Sequence, residues 1–208
     1  MTAHIDYYFT CISPFSYFGH QAIGAVARRH GAVLNLRPFR LGTVFQSSGA
    51  VPLAQRPVPR QRYRMLELQR IAAMRDLPVN LKPAHFPTDP ALADATVAAL
   101  VDDGADAFAY LDSLYRAVWV DEVDVADDAV LAERLERAGF DAAGIIARAR
   151  SEAVSALVDA NTEAAIAAGA LGSPTYVLNG EVFWGQDRVE YLEHALATGR
   201  GPFFADMA

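Results

Sequence analysis

The chain has 208 residues, of which 52% are hydrophobic and 21% are charged. These proportions are typical of a globular protein, and the length suits one core with a large insertion. The formal net charge of −7 argues against nucleic acid as a partner, because phosphate binding needs a basic surface. No apolar run approaches the roughly 18 residues of a membrane span and no signal-type segment precedes the first strand, so we expect a cytoplasmic protein.

Cysteine and histidine usage limits the chemistry. Cys11 is the only cysteine, which excludes an internal disulfide and the dithiol chemistry of a disulfide oxidoreductase. The five histidines show no ligand spacing such as H-x-x-x-H, so we predict no metal site. We interpret Cys11 as a small buried apolar residue. Any thiol chemistry therefore requires a thiol from outside the chain.

The first forty residues predict a strand, a helix and a second strand. Residues 5–9 are β-branched and aromatic, as in a strand. Ser13 suits the N-cap of the next helix and Pro14 its first position, while Gly31 suits its C-terminal end. Residues 33–36 read as a second strand, which makes a βαβ unit with a parallel pair and a right-handed crossover.

The middle of the chain predicts a loop and then a long helical region. Residues 42–59 are rich in Pro, Gly and Ser, so we predict a loop, and long loops are often functional. Basic residues gather in and after this loop, where a small carboxylate could bind. Apolar residues at helical intervals predict helices at residues 59–75, 91–102, 106–120, 127–138, 142–150 and 152–168.

The last forty residues return to strand periodicity. Residues 175–178 and 181–184 flank Asn179-Gly180, a dipeptide that tolerates the positive φ angles of a type I′ hairpin turn. A final helix is predicted over residues 188–197. The whole order predicts an α/β class, thioredoxin-like fold with a large all-helical insertion. We assign residues 1–45 and 170–208 to a discontinuous thioredoxin-like domain, and residues 46–169 to a linker loop and inserted helical domain.

Three motifs in this order resemble one family. They are Ser13-Pro14-Phe15-Ser16 after the first strand, Gly172-Ser173-Pro174-Thr175, and Trp184-Gly185-Gln186-Asp187-Arg188. An S-P-x-S tetrad alone is a weak signal, since a Ser cap followed by Pro starts many helices. The combination is similar to the 2-hydroxychromene-2-carboxylate isomerases, relatives of kappa-class glutathione transferases in the DsbA-like branch of the thioredoxin superfamily. The chain departs from the family's usual Asn and Lys in the loop after the second strand, where Gln55 and Arg56 stand.

This resemblance implies a glutathione-dependent cis–trans isomerase of a conjugated aromatic carboxylate, which acts in the degradation of aromatic compounds. It implies that the Ser13 hydroxyl is catalytic and binds the glutathione sulfur at a helix N-terminus, where a thiolate is favoured. Pro174 resembles the superfamily's cis-proline. The residues expected to bind glutathione are Ser13, Ser173, Pro174, Trp184, Gly185, Gln186 and Asp187. Those expected to hold the substrate are Arg56, His85 and Phe86.

Two alternatives remain open from the sequence. A kappa-class-like glutathione transferase would keep the conjugate instead of expelling the thiol. A non-catalytic thioredoxin-like binding module would have a closed site without affinity for glutathione, and Ser13 and Asp187 would then be simple helix caps. Beyond glutathione and a small aromatic substrate we expect no nucleic acid or membrane partner, and we expect a homodimer.

Overall fold

The computed structural model describes residues 2–205 and contains one mixed four-stranded sheet in the order β2-β1-β3-β4. Strand β1 runs parallel to β2 and antiparallel to β3, and β3 and β4 form the antiparallel hairpin. The first and last predicted strands therefore share a single sheet, as expected. The strands are β1 (His4–Phe9), β2 (Val33–Pro38), β3 (Thr175–Leu178) and β4 (Glu181–Trp184).

Helix α1 (Pro14–His30) follows the local signals of the sequence. Ser13 caps its N-terminus, and Gly31 ends it in the left-handed conformation with φ of 60°. The hairpin turn also has the predicted geometry, because Asn179 and Gly180 both have positive φ angles.

The other helices occupy the predicted helical regions, apart from one additional helix. Two short 3₁₀ turns lie at Leu53–Gln55 and Gln186–Arg188. The helices are α2 (Leu41–Ser48), α3 (Val58–Arg75), α4 (Ala91–Asp102), α5 (Phe108–Trp119), α6 (Asp128–Arg137), α7 (Ala142–Ala149), α8 (Glu152–Ala167) and α9 (Val189–Thr198).

Helix α2 corrects the prediction of an irregular loop over residues 42–59. Its Gly, Thr and Ser residues have low helix propensity, which explains the prediction. The helix forms because Val44 is fully buried in a cluster with Tyr8 and Phe39, and because α2 packs against α8. Tertiary burial thus overrides weak local propensity, and only the part from Gly49 onward lacks an α-helix before α3.

The main hydrophobic core joins the sheet to the helices between β2 and β3. Tyr7 of β1 and Phe18 of α1 share one buried cluster with Tyr115 and Trp119 of α5. Helix α4 also packs against β2. The division into a thioredoxin-like domain and an inserted domain stays a prediction. Within residues 2–205, no helix has the length and apolar character required to cross a bilayer.

Candidate active site

The first part of the site is the turn from β1 into α1. The Oγ of Ser13 accepts a hydrogen bond from the N–H of Ser16 at 3.2 Å, and Pro14 occupies the start of the helix. The first turn of α1 carries no acidic side chain. Its N–H groups and the positive end of the helix dipole therefore favour an anion. This geometry suits a thiolate held beside Ser13.

A cluster of three serines connects this turn to the loop before β3. The Ser13 hydroxyl donates to the C=O of Ser173 at 3.2 Å, across 160 residues of chain. The Oγ of Ser173 accepts from the N–H of Thr10 at 3.1 Å and lies 2.7 Å from the Oγ of Ser16. The Ser173–Pro174 peptide bond is cis, as predicted. Ser16, interpreted from sequence as a polar group at the helix start, is fully buried in this cluster.

The turn after β4 lies beside the same loop, because the N–H of Gly185 donates to the C=O of Pro174 at 2.9 Å. Gly185 has φ of 108°, and an ideal Cβ there would be 2.6 Å from Oδ1 of Asp187. Only glycine therefore fits beneath the Asp187 carboxylate. Asp187 is exposed and accepts a hydrogen bond from Arg188 at 2.8 Å, and Trp184 is 49% exposed. The two predicted glutathione-binding segments are thus neighbours.

Arg75 joins this turn to α1, a contact that the sequence does not predict. Its Nη1 donates to the C=O of Phe18 at 2.8 Å, and its Nη2 donates to the C=O of the buried Gln186 at 3.1 Å. Burial lowers the pKa of Arg75. The two acceptors lie 57 and 111 residues from Arg75 along the chain, so no local signal pointed to them.

Asp94 of α4 is a buried carboxylate directly behind the turn from β1 into α1. It accepts hydrogen bonds from Oγ1 of Thr10 at 2.7 Å and from the N–H of Cys11 at 2.8 Å. Burial raises the pKa of Asp94 to about 7. Helical periodicity assigns Asp94 only to a predicted helix. A lone acid in the apolar run ALADATVAAL was the signal that could have identified it.

Cys11 is fully buried, so its interpretation as a small buried residue is confirmed. Burial raises the pKa of its thiol well above the usual value, and the neighbouring Asp94 adds to this effect. A thiol that is both inaccessible and protonated is a poor nucleophile. Cys11 therefore offers no alternative to an external thiol.

Aromatic and cationic side chains lie next to the segments that carry Ser13 and Ser173, and together with Gly172 we call them the rim: Phe15, Phe45, Arg56, Arg64 and Trp184. The Cζ of Arg64 lies 6.0 Å from the ring centre of Phe15, and that of Arg56 lies 5.8 Å from the ring centre of Phe45. An ideal Cβ on Gly172 would be 3.5 Å from Phe45 and 3.0 Å from Nε1 of Trp184. The rim thus runs from α1 to the loop that carries Ser173.

The three predicted substrate-binding residues lie in two different places. Arg56 belongs to the rim. Phe86 packs against the buried Trp119 with ring centres 4.8 Å apart, and Nδ1 of His85 lies 3.9 Å from Asp124. Among the described residues, these contacts of His85 and Phe86 involve neither Ser13 nor the rim. Their role in substrate binding stays a prediction.

A cavity of about 1040 Å³ lies at the edge strand β2, away from the serine cluster. Its lining includes Arg37, Gly104, Phe108 and Leu157, and none of the predicted site residues. The serine cluster offers hydroxyl groups at a helix N-terminus, and the rim offers cationic side chains. Because such groups can bind an anionic thiolate and a carboxylate, we place the candidate site there and not in this cavity.

Comparison with known proteins identifies the family of the chain. The DSBA-like thioredoxin domain family matches residues 4–197. A 2-hydroxychromene-2-carboxylate isomerase of Sphingobium xenophagum is 32% identical over 94% of this chain and 99% of its own length. A solved 2-hydroxychromene-2-carboxylate isomerase is 28% identical, with a TM-score of 0.79 over 94% of this chain and 95% of that chain. Glutathione S-transferase kappa 1 of Caenorhabditis elegans is 35% identical over 38% of this chain and 35% of its own. The chain therefore belongs to the DSBA-like thioredoxin family and, within it, to the 2-hydroxychromene-2-carboxylate isomerases.

Proposed function

We propose that this protein is a glutathione-dependent isomerase that interconverts the cis and trans forms of a conjugated aromatic carboxylate during the degradation of aromatic compounds. One structural observation supports this proposal most directly. A serine hydroxyl caps a helix N-terminus beside the Ser173–Pro174 loop, in a chain whose single thiol is buried. Such a site can bind and activate a thiol, but the chain itself supplies none. The isomerase relatives and the partial match to a kappa-class transferase support glutathione as the thiol.

The Ser13 hydroxyl binds the glutathione sulfur by changing the acceptor of its hydrogen bond from the C=O of Ser173 to the sulfur. A hydroxyl has one proton to donate, and here that proton goes to the C=O of Ser173. When Ser13 donates to a thiolate instead, the Ser173 C=O becomes free to accept the cysteinyl N–H of glutathione. The Ser173 N–H can then donate to the cysteinyl C=O, as in strand addition. One exchange therefore positions both the sulfur and the backbone of the bound tripeptide.

The turn after β4 binds the γ-glutamyl end of glutathione. The exposed Asp187 carboxylate pairs with the ammonium group, and the N–H groups of Gln186 and Asp187 hold the adjacent carboxylate at the start of the final helical segment. Trp184 and Gly185 form the wall of this half of the site. Arg75 keeps the turn against α1 through the C=O of Gln186, so the two halves stay at a fixed separation.

The reaction uses the thiolate as a recyclable nucleophile. Its sulfur bonds to the β-carbon of a double bond conjugated to a carbonyl, and the π electrons move onto the carbonyl oxygen to form an enolate. The former double bond is then single and rotates. Return of the electrons re-forms the double bond and expels the thiolate, so glutathione is neither oxidised nor consumed. Arg56 on the rim attracts the substrate carboxylate, and His85 and Phe86 are the other proposed contacts.

A binding titration and a mass balance test this function. We expect calorimetry to detect glutathione binding and a spectral assay with 2-hydroxychromene-2-carboxylate to require glutathione for turnover. Mass spectrometry should recover all the glutathione unmodified. Recovery of a glutathione conjugate would favour the transferase alternative. Absence of glutathione binding would favour the non-catalytic binding module. The cytoplasmic location and the homodimer remain predictions.

The variant Ser13→Ala tests the assignment of the catalytic residue. It removes one hydrogen bond to a charged sulfur, worth roughly 1.5–3 kcal/mol, so turnover should fall about ten- to hundredfold. The pKa of bound glutathione should rise, as followed by thiolate absorbance, while glutathione affinity changes little. The control is Ser47→Ala, at an exposed serine of α2. If the two variants have the same thiol pKa and turnover, Ser13 is only a helix cap.

A further inference from the structure

Two arginines on the rim have no carboxylate partner. Within residues 2–205 no carboxylate oxygen lies within 4 Å of Arg56 or Arg64, although many other arginines of the chain are paired with Asp or Glu. Arg56 uses its Nε to donate to the C=O of Val51 at 2.7 Å, which leaves its terminal nitrogens unused. The guanidinium of Arg64, in the middle of α3, makes no hydrogen bond to any residue that the structure describes.

The fold holds these two cations near each other at an energetic disadvantage. Arg64 is half-buried, and its burial together with the charge of Arg56 lowers its pKa to about 10. The guanidinium is therefore still charged at neutral pH, but it is partly desolvated and repelled by its neighbour. Each guanidinium carbon lies within cation–π distance of an aromatic ring centre, at 6.0 Å for Arg64 and 5.8 Å for Arg56. A bound anion would relieve both the repulsion and the missing hydrogen bonds.

The position of the pair relates it to the reacting sulfur. Phe15, beneath Arg64, is two residues after Ser13 in the first turn of α1. Phe45, beneath Arg56, borders Gly172, which precedes Ser173. Arg64 therefore lies near the Ser13 end of the serine cluster, and Arg56 lies near the Ser173 end. A ligand with one end at Ser13 can place its other end against them.

We propose that Arg64 and Arg56 together form a carboxylate-binding subsite, with Arg64 as its principal cation. This inference deepens the proposed function and depends on it for the identity of the ligand. Two ligands supply the required chemistry, namely the glycyl carboxylate of glutathione and the carboxylate of the conjugated aromatic substrate. The planar guanidinium fork matches a carboxylate, and the rings of Phe15 and Phe45 offer apolar contact to the rest of the ligand.

Binding measurements on Arg64→Gln separate the two sources. If the subsite holds glutathione, the variant should bind glutathione about ten- to hundredfold more weakly, while its affinity for the glycyl ethyl ester of glutathione should match that of the wild type. If the subsite holds the substrate, the KM of the aromatic carboxylate should rise by a similar factor with glutathione affinity unchanged. Arg64→Lys keeps the positive charge but lacks the planar guanidinium that binds a carboxylate through two hydrogen bonds, so it should give an intermediate loss of ligand affinity. Either pattern supports the subsite.

A third ligand and a control variant keep the test independent of catalysis. Benzoate is an unreactive aromatic carboxylate, so its Arg64-dependent binding to the wild-type protein would support the subsite even if glutathione failed to bind. Arg62→Gln is the control, because Arg62 is an exposed arginine on the same helix. The thermal midpoint of Arg64→Gln should equal or exceed that of the wild type, since an unpaired charge is removed. If Arg64→Gln binds glutathione, the aromatic carboxylate and benzoate as tightly as Arg62→Gln does, the subsite does not exist.

Discussion

Replacing Asp94 with asparagine should abolish a large pH dependence of stability. Asp94 lies behind the active-site turn and is 4% exposed. Asparagine has the same shape and can still accept from the N–H of Cys11, while the Thr10 hydroxyl can turn to accept from the new amide. The substitution therefore removes the ionisation of the side chain and keeps its hydrogen bonds. The measured quantity is the free energy of unfolding of each protein as a function of pH.

The magnitude follows from the shift of the Asp94 pKa, which burial raises from 3.8 to about 7. A raised pKa means that the folded state favours the protonated form. The contribution of Asp94 to the free energy of unfolding is therefore complete below pH 3.8 and is lost as the pH rises through about 7. A shift of this size corresponds to about 4 kcal/mol, at 1.36 kcal/mol per pKa unit. Relative to Asp94→Asn, the wild type should lose about that much stability between pH 4 and pH 8.

Urea denaturation of both proteins at pH 4, 5, 6, 7 and 8 gives the required difference, because the titration of all other groups cancels. Asp128→Asn is a control of opposite sign. Asp128 is exposed, and its hydrogen bond to Arg150 lowers its pKa, so its contribution is lost as the pH falls. A difference between wild type and Asp94→Asn that stays constant from pH 4 to pH 8 would refute the reasoning. It would mean that the carboxylate ionises as readily in the fold as in the unfolded chain.

Three further predictions concern single side chains. Asp187→Ala should raise the glutathione dissociation constant in calorimetry and leave the rate at saturation near normal, whereas an unchanged constant would remove Asp187 from the site. Cys11→Ser should retain glutathione-dependent turnover, and native Cys11 should react slowly with a disulfide reagent at pH 8; loss of most activity would make Cys11 the nucleophile. His20 should stay neutral at pH 5.5 in NMR spectra with its proton on Nε2, because burial lowers its pKa to about 4 and Nε2 lies 3.0 Å from the C=O of Phe108. Titration of His20 near pH 6.5 would contradict this environment.

The sequence predicted the elements whose signals are local. The cap at Ser13, the stop at Gly31 and the dipeptide Asn179-Gly180 each act within a few residues, and all three appear in the structure as expected. The order of these elements then indicated the sheet, because βαβ and hairpin connections allow few topologies. The motifs at the two ends of the chain predicted that Ser13 and Ser173 belong to one site, and the structure brings these two residues into hydrogen-bond contact.

The parts that the sequence did not predict depend on distant partners. Helix α2 has poor local propensity and forms because Val44 is buried with Tyr8 and Phe39. Arg75 and Asp94 contact backbone and side-chain groups between 57 and 111 residues away. Periodicity shows which face of an element is apolar, but it does not show which polar atoms of two remote segments will meet.

The serine cluster also has a consequence for the biosynthesis of the protein. Ser13 and Ser173 are 160 residues apart, and at roughly 5–20 residues per second the ribosome needs about 8–30 s to make the chain between them. During that interval β1 and α1 have no β3 to pair with. Until α4 is made, the thiol of Cys11 also lacks the cover of Asp94. The proposed glutathione site therefore forms only when the segment that carries β3 and β4 docks. Under the proposed function, glutathione would stabilise finished molecules and leave nascent ones unprotected.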